Sequence, residues 1–215
     1  VWIIQKFIGT MEAAVRAWRA REVDFDQTFD FDTVLDLQSE DPYFNLVLTP
    51  DACATAININ NLRYPLNMSE FRWAINYAIN RTRIIKFIYK GISPYQAVPF
   101  TDTPAMMRWI NWSIVAEYNV TKYPNGNPEL AIQMLEDLGF QRDAEGWFCY
   151  PNGTRITFEL VNTPPDWVEW SELGKAVAED LRAIGLDVTA RNYDVSVYIE
   201  KWESRTYDLL SGSTV

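Results

Sequence analysis

The stretch from Arg155 to Ala190 constrains the fold more than any other. Arg155 to Val161 sets Ile156, Phe158 and Leu160 on one side, with polar or outward positions between them. That is the period-two pattern of an amphipathic strand. Trp170, Leu173, Val177, Leu181 and Ile184 then recur at helical spacing, and Gly185 supplies the stop. Leu186, Val188 and Ala190 alternate again. Strand, amphipathic helix and strand in succession predict an α/β fold, a layered mixed β-sheet flanked by helices.

The rest of the chain extends the pattern. Trp2 to Ile8 reads as a buried, β-branched strand, and Gly9-Thr10 opens a helix with Met11, Ala14, Val15 and Trp18 on one stripe. Asp30 and Asp32 precede a short helix around Val34 to Gln38, and Phe44 to Leu48 and Ala54 to Ile59 are strand-like. Asn67 with Glu70 has capping-box spacing, ahead of a stripe of Phe71, Ala74, Ile75, Ala78 and Ile79. Asn80-Arg81-Thr82 marks a break before Ile84, Ile85 and Ile88. Residues 92 to 126 are irregular, broken by Pro94, Pro99, Pro104 and Pro124. Asn127 caps the next helix, Pro128 stands at N1 and Gly139 ends it. Glu145-Gly146 and Asn152-Gly153 flank Trp147 to Tyr150 as a hairpin. Asp194 caps a short helix with Val195, Tyr198 and Trp202 inward, and Tyr207 to Leu210 forms a last strand. Loops are short and no linker or repeat interrupts them, so residues 1–215 read as a single domain.

Composition removes several kinds of function. With 19 basic and 29 acidic residues the net charge is −10, which disfavours nucleic acid and anionic membranes. There is no histidine, so Ser-His-Asp and Cys-His catalysis are impossible within the chain and the commonest metal ligand is missing. No apolar run approaches the ~18 residues of a bilayer span. Cys53 and Cys149 permit either one disulfide or two buried thiols. Acidic pairs such as Glu136-Asp137, Glu179-Asp180 and Glu169/Glu172 fall on helix exteriors, and nothing selects two of them as a catalytic pair. No enzyme activity, metal or cofactor is expected.

Several segments resemble one family. Asn127-Pro128-Glu129-Leu130-Ala131 through Leu135-Glu136-Asp137-Leu138-Gly139-Phe140 resembles the NPEKAKQLLEEAGY segment of family 5 extracytoplasmic solute-binding proteins, which serve ABC importers of peptides, oligosaccharides and nickel complexes. Phe71 to Arg81 is similar to that family's vRqAlayaidR, Ala20 to Asp24 to aGeiD, Ala183 to Val188 to kkiGidV, and Tyr207-Asp208-Leu209 to yDl. The five segments stand in the family's order and spacing, from residue 20 to residue 209. Arg21 replaces the glycine of aGeiD and Asn80 the aspartate of aidR, both at positions that resemble structural ones.

The resemblance implies one lobe, lobe II, of a type II periplasmic-binding-protein-like fold, with lobe I absent. It implies a piece of a longer extracytoplasmic protein, periplasmic or at the cell surface. The partners it implies are an oligopeptide or oligosaccharide, the membrane permease and lobe I of the same protein, with the parent a monomer. A stand-alone protein-interaction domain, using an exposed cleft face and no small ligand, is the alternative.

A binding lobe works at the strand ends that line its cleft. Gly9-Thr10, Asn60-Asn61, Asn162-Thr163 and Ser211-Gly212 are candidate ends, rich in short amide and hydroxyl groups that orient peptides or sugars. Asn60 has a plainer reading, as the residue that satisfies the turn into Leu62 and Tyr64. Among nine tryptophans, Trp167 after Pro164-Pro165-Asp166 is the best cleft aromatic, with Asp166 beside it. Trp18, Trp73, Trp170 and Trp202 lie on or beside helix stripes and read as core. Five Asn-x-Ser/Thr sequons, at Asn67, Asn80, Asn111, Asn119 and Asn152, exceed the roughly one or two that composition gives by chance. Helix-capping demand is the competing explanation.

Overall fold

The computed structural model describes residues 2–26, 30–48, 54–96, 98, 103–119 and 121–213. They fall into two compact units, 1–49 and 50–215.

The first unit holds helix α1 (Met11–Arg19) and helix α2 (Phe31–Glu40). Each starts where a short polar side chain takes an orphan N–H. The Thr10 hydroxyl accepts from Ala13 at 3.2 Å, and the Asp30 carboxylate accepts from Thr33 at 2.9 Å. Asp41 gathers both Arg21 guanidinium nitrogens at 2.6 and 2.9 Å, the Tyr43 N–H at 2.9 Å and the Trp18 indole at 3.3 Å. Those bonds, the Arg21 pair foremost, hold the Asp41 carboxyl down at about 2. Trp2 to Ile8 departs from the expectation of a buried strand. Among the described residues no strand pairs with it, and Trp2, Ile3 and Phe7 stand more than 90% exposed (94%, 95% and 95%). A strand needs a neighbour for its backbone groups. Phe44 to Leu48 is not a strand either.

The second unit runs strand β1 (Thr55–Ile59), helices α3 (Ser69–Ala78), α4 (Arg81–Phe87), α5 (Pro104–Met107), α6 (Trp112–Tyr118) and α7 (Pro128–Asp137), strands β2 (Gln141–Arg142), β3 (Phe148–Cys149) and β4 (Thr157–Asn162), helix α8 (Val168–Ala183), strand β5 (Asp187–Asn192), helix α9 (Val195–Glu203) and strand β6 (Leu209–Ser213). The main sheet has the order β1-β6-β4-β5, and β2 and β3 form a separate antiparallel hairpin. β4 runs parallel to both β5 and β6, while β1 is antiparallel to β6. The predicted mixed α/β layering is thus present.

Connection geometry explains the two helix layers. β4 reaches β5 through α8, and β5 returns past β4 to β6 through α9. Parallel crossovers are right-handed, so opposite directions of travel put the two helices on opposite faces. Side-chain alternation agrees. Phe158 and Leu160 join Leu173, Val177 and Leu181 of α8 in the main core, together with Phe71 and Ile75 of α3 and Leu135 of α7. Val161 and Leu210 meet Tyr198 of α9 on the other face. Each large side chain buried in the main core contributes about 1.5–3 kcal/mol.

Local signals hold best between 127 and 213. The Asn127 side chain accepts from Leu130 at 3.1 Å with Pro128 at N1, and the Asp194 carboxylate accepts from Val197 at 3.0 Å. Three expectations need correction. Helix α3 begins at Ser69 behind Met68, which makes no side-chain cap, so Asn67 and Glu70 form no capping box. Trp202 and Val195 are 40% and 42% exposed, because α9 buries only Tyr198 among its residues. Asp180 is no exterior residue: it accepts the Asn80 N–H at 2.9 Å and pairs with Arg83 at 2.8 Å, and burial pushes its carboxyl up. That cluster ties the start of α4 to α8.

Candidate functional site

Strand polarity points to a candidate site. The carboxyl ends of β4, β5 and β6 share one edge of the sheet. The chain leaves β4 over one face and β5 over the other, and such a divergence opens a crevice in α/β sheets. Asn162 and Asn192 are register partners there, and Ser211 and Gly212 continue β6 alongside.

Beneath the edge lies a closed polar network. The Asn162 amide nitrogen donates to the Ser171 carbonyl at 2.7 Å, and its oxygen accepts from the Ser211 hydroxyl. The Asn192 amide nitrogen donates to the Thr163 carbonyl at 2.6 Å and to the Ser171 hydroxyl at 2.7 Å. Asn162, Thr163, Ser171 and Ser211 are all buried. Their hydrogen bonds join three strand ends to the first turns of α8, so they fix the edge's shape. Two glycines permit the fit. A Cβ on Gly174 would sit 2.2 Å from the Asn162 amide oxygen, and one on Gly212 would sit 2.5 Å from the Tyr198 hydroxyl.

Beside the network stands an aromatic group. Trp167 meets Trp170 edge-on at 5.6 Å between ring centroids, and meets Tyr198 edge-on at 6.2 Å. Trp167 keeps 39% of its surface exposed, and Asp166 beside it is exposed. The Tyr198 hydroxyl donates to the Ser211 carbonyl at 2.7 Å. Burial, and then the nearby Tyr207, push its phenol up to about 12, so it stays a neutral donor. An exposed aromatic face held by a rigid polar framework can cover a peptide side chain or stack on a sugar ring.

The structure therefore brings together Asn162, Thr163, Asp166, Trp167, Ser211 and Gly212. Asn60 and Asn61 lie elsewhere: β1 is antiparallel, so they stand beside the amino end of β6. The buried Asn60 side chain donates to the carbonyls of Arg205 and Tyr207 at 3.0 and 2.8 Å and accepts from Leu62 at 3.1 Å, which is its turn-satisfying reading. Thr10 caps α1 in the first unit. Sequence reasoning passed over Asn192, Ser171 and Tyr198. Asn192 was the findable one, since both alternating strands around α8 end in asparagine.

Hollows lie away from this edge. One of about 370 Å³ is lined by Tyr95, Gln96, Ile110, Trp112 and Pro124, among others, and another of about 310 Å³ borders Arg142, Asp143, Cys149 and Tyr150. Cys149 is a buried free thiol, and Cys53 lies outside the described residues. Among the described residues no cluster of three His, Cys, Asp or Glu could hold a metal, and no helix is long and apolar enough to cross a membrane.

The profile of bacterial extracellular solute-binding proteins, family 5 middle, matches residues 3–215. The chain belongs to this family. The periplasmic oligopeptide-binding protein of an oligopeptide ABC transporter from Thermotoga maritima, solved with mannohexaose bound, is 26% identical with a TM-score of 0.80, over 96% of this chain and 38% of that one. The probable ABC transporter periplasmic-binding protein SapA of Escherichia coli is 27% identical over 107 residues, 50% of this chain and 18% of its own. The uncharacterized protein y4wM of Sinorhizobium fredii is 22% identical over 238 residues, 96% of this chain and 35% of its own. The chain thus spans 35% or less of the curated relatives it matches.

Proposed function

We propose that residues 1–215 form one lobe, lobe II, of a family 5 solute-binding protein. In this reading the parent captures an oligopeptide or oligosaccharide between two lobes and delivers it to a membrane permease, with no bond made or broken. The observation that carries it is the half-exposed Trp167 beside the buried Asn162–Ser171–Asn192–Ser211 network, at the edge where β4 and β5 diverge. Trp167 is the contact face, with Asp166 beside it, and the buried amides and hydroxyls hold the strand ends in place. The mannohexaose bound by the Thermotoga protein supports a sugar ligand, and that protein's description as oligopeptide-binding supports a peptide. The exposed Trp2, Ile3 and Phe7 fit a segment that finds its partner in the other lobe. Closure of the two lobes then follows from the ligand's stronger contacts with the closed form.

Calorimetry on the full-length parent, stripped of ligand by unfolding and refolding, tests this against oligopeptides and manno-oligosaccharides. Trp167→Ala should weaken binding about tenfold, equivalent to ~1.4 kcal/mol. Residues 1–215 alone should bind at least about a hundredfold more weakly than the parent, since half the contacts are missing. Unchanged affinity in Trp167→Ala would remove this edge from the site.

A further inference from the structure

The excess of sequons is the sequence feature that ligand capture does not use, and two of them, at Asn80 and Asn152, sit in opposite surroundings. Asn80 is half-buried at the start of α4: its side-chain oxygen accepts the Arg83 N–H and its backbone N–H donates to Asp180, both at 2.9 Å, so the sequon is packed against α8. Asn152-Gly153-Thr154 is the opposite case. All three residues are exposed at a turn between β3 and β4. Gly153 has φ +82° and open space where a Cβ would be. The Asn152 side-chain oxygen accepts the Thr154 N–H at 3.0 Å, and among the described residues the amide nitrogen has no partner. The turn precedes the amino end of β4. The six residues of β4, about 20 Å of strand, separate it from the ligand edge. A bulky group there leaves the edge open.

We propose that Asn152 is a modification site that carries an N-linked oligosaccharide. The donor class is a polyprenyl-phosphate- or polyprenyl-pyrophosphate-linked oligosaccharide. A bond forms between the Asn152 amide nitrogen and the sugar's anomeric carbon, and the anomeric carbon–oxygen bond to phosphate breaks. The polyprenyl phosphate, or polyprenyl pyrophosphate from the pyrophosphate donor, leaves, and the transferase's base takes the amide proton. Thr154 supplies the hydroxyl that makes the tripeptide an acceptor. The inference rests on the extracytoplasmic reading, because such transfer happens outside the cytoplasm.

Glycopeptide mass spectrometry of the full-length protein from its native host tests it, with cell fractionation on the same culture. The Asn152 peptide should carry a hexose-containing mass increment and the Asn80 peptide none. Thr154→Ala should abolish the increment and Thr154→Ser should retain it, with both variants folded by circular dichroism. An Asn152 peptide that is bare or merely deamidated overturns the inference, as does an increment that survives Thr154→Ala. Recovery of the protein in the extracytoplasmic fraction with Asn152 bare overturns the glycan alone. Recovery in the cytoplasm overturns the reading beneath it as well.

Discussion

The two ends of the central sheet each bury an asparagine, and they use it differently. At the amino end Asn60 clamps the turn before β6, with the Arg63–Asp208 pair at 2.6 Å beside it and Asp208 also accepting the Glu159 N–H at 3.0 Å. There the polar groups close the sheet off. At the carboxyl end Asn162 joins a network of the same kind, but the half-exposed Trp167 stands beside it, against Tyr198. A buried amide therefore does not mark a binding edge. What sets the carboxyl end apart, as the proposed binding edge, is strand direction together with an aromatic left facing water.

Gly174→Ala should show the largest effect. The new Cβ would meet the Asn162 amide oxygen at 2.2 Å and a Leu160 methyl at 2.9 Å. Helix propensity gains ~1 kcal/mol from the exchange, while overpacking and a displaced buried amide cost more. A net loss of roughly 2–4 kcal/mol is expected, read as a lower urea midpoint at unchanged slope. A midpoint within error of wild type would mean that α8 does not lie so close to the carboxyl edge.

Asn60→Ala and Asn162→Ala sharpen the contrast between the ends. Each strands buried backbone groups and should cost about 1–3 kcal/mol. Their effects on binding should part: Asn162→Ala loosens the strand ends beside Trp167 and weakens ligand binding by the full-length parent several-fold, while Asn60→Ala leaves it unchanged. Calorimetry on the two variants decides. Equal losses of affinity would erase the distinction between the ends.

Legibility in the sequence followed the range of the interactions. The helices capped by Asn127 and Asp194, the hairpin turns and the strands around α8 were readable because caps, turns and alternation are local. Strand direction is not local. Nothing between Thr55 and Asn61 says that β1 runs against β6, and that reversal carried Asn60 and Asn61 to the far end. Trp2 to Ile8 shows the same limit from the other side: its composition suits a strand, but pairing depends on a neighbour that the composition cannot supply. The position of Trp167 just past the carboxyl end of β4 was legible because Pro164-Pro165 cannot continue the strand.

The smallest signal tests whether the carboxyl edge is as dry beside its tryptophan as the burial of Tyr198 implies. Tyr198 is 7% exposed, and its phenol is pushed from 10.0 up to about 12. Its folded value lies above the unfolded one, so its contribution to stability is complete below pH 10 and is lost as pH rises toward 12. Tyr89, at the end of α4, is also pushed up to about 12, chiefly by burial, and serves as an internal reference. A phenolate absorbance titration should show late phenols that include Tyr198 and Tyr89, and Tyr198→Phe should remove one of them. The variant should also lose stability less steeply between pH 10 and 12. If its titration superimposes on that of the wild type, Tyr198 is solvated, water reaches the base of the aromatic group, and the two ends of the sheet are more alike than their geometry makes them.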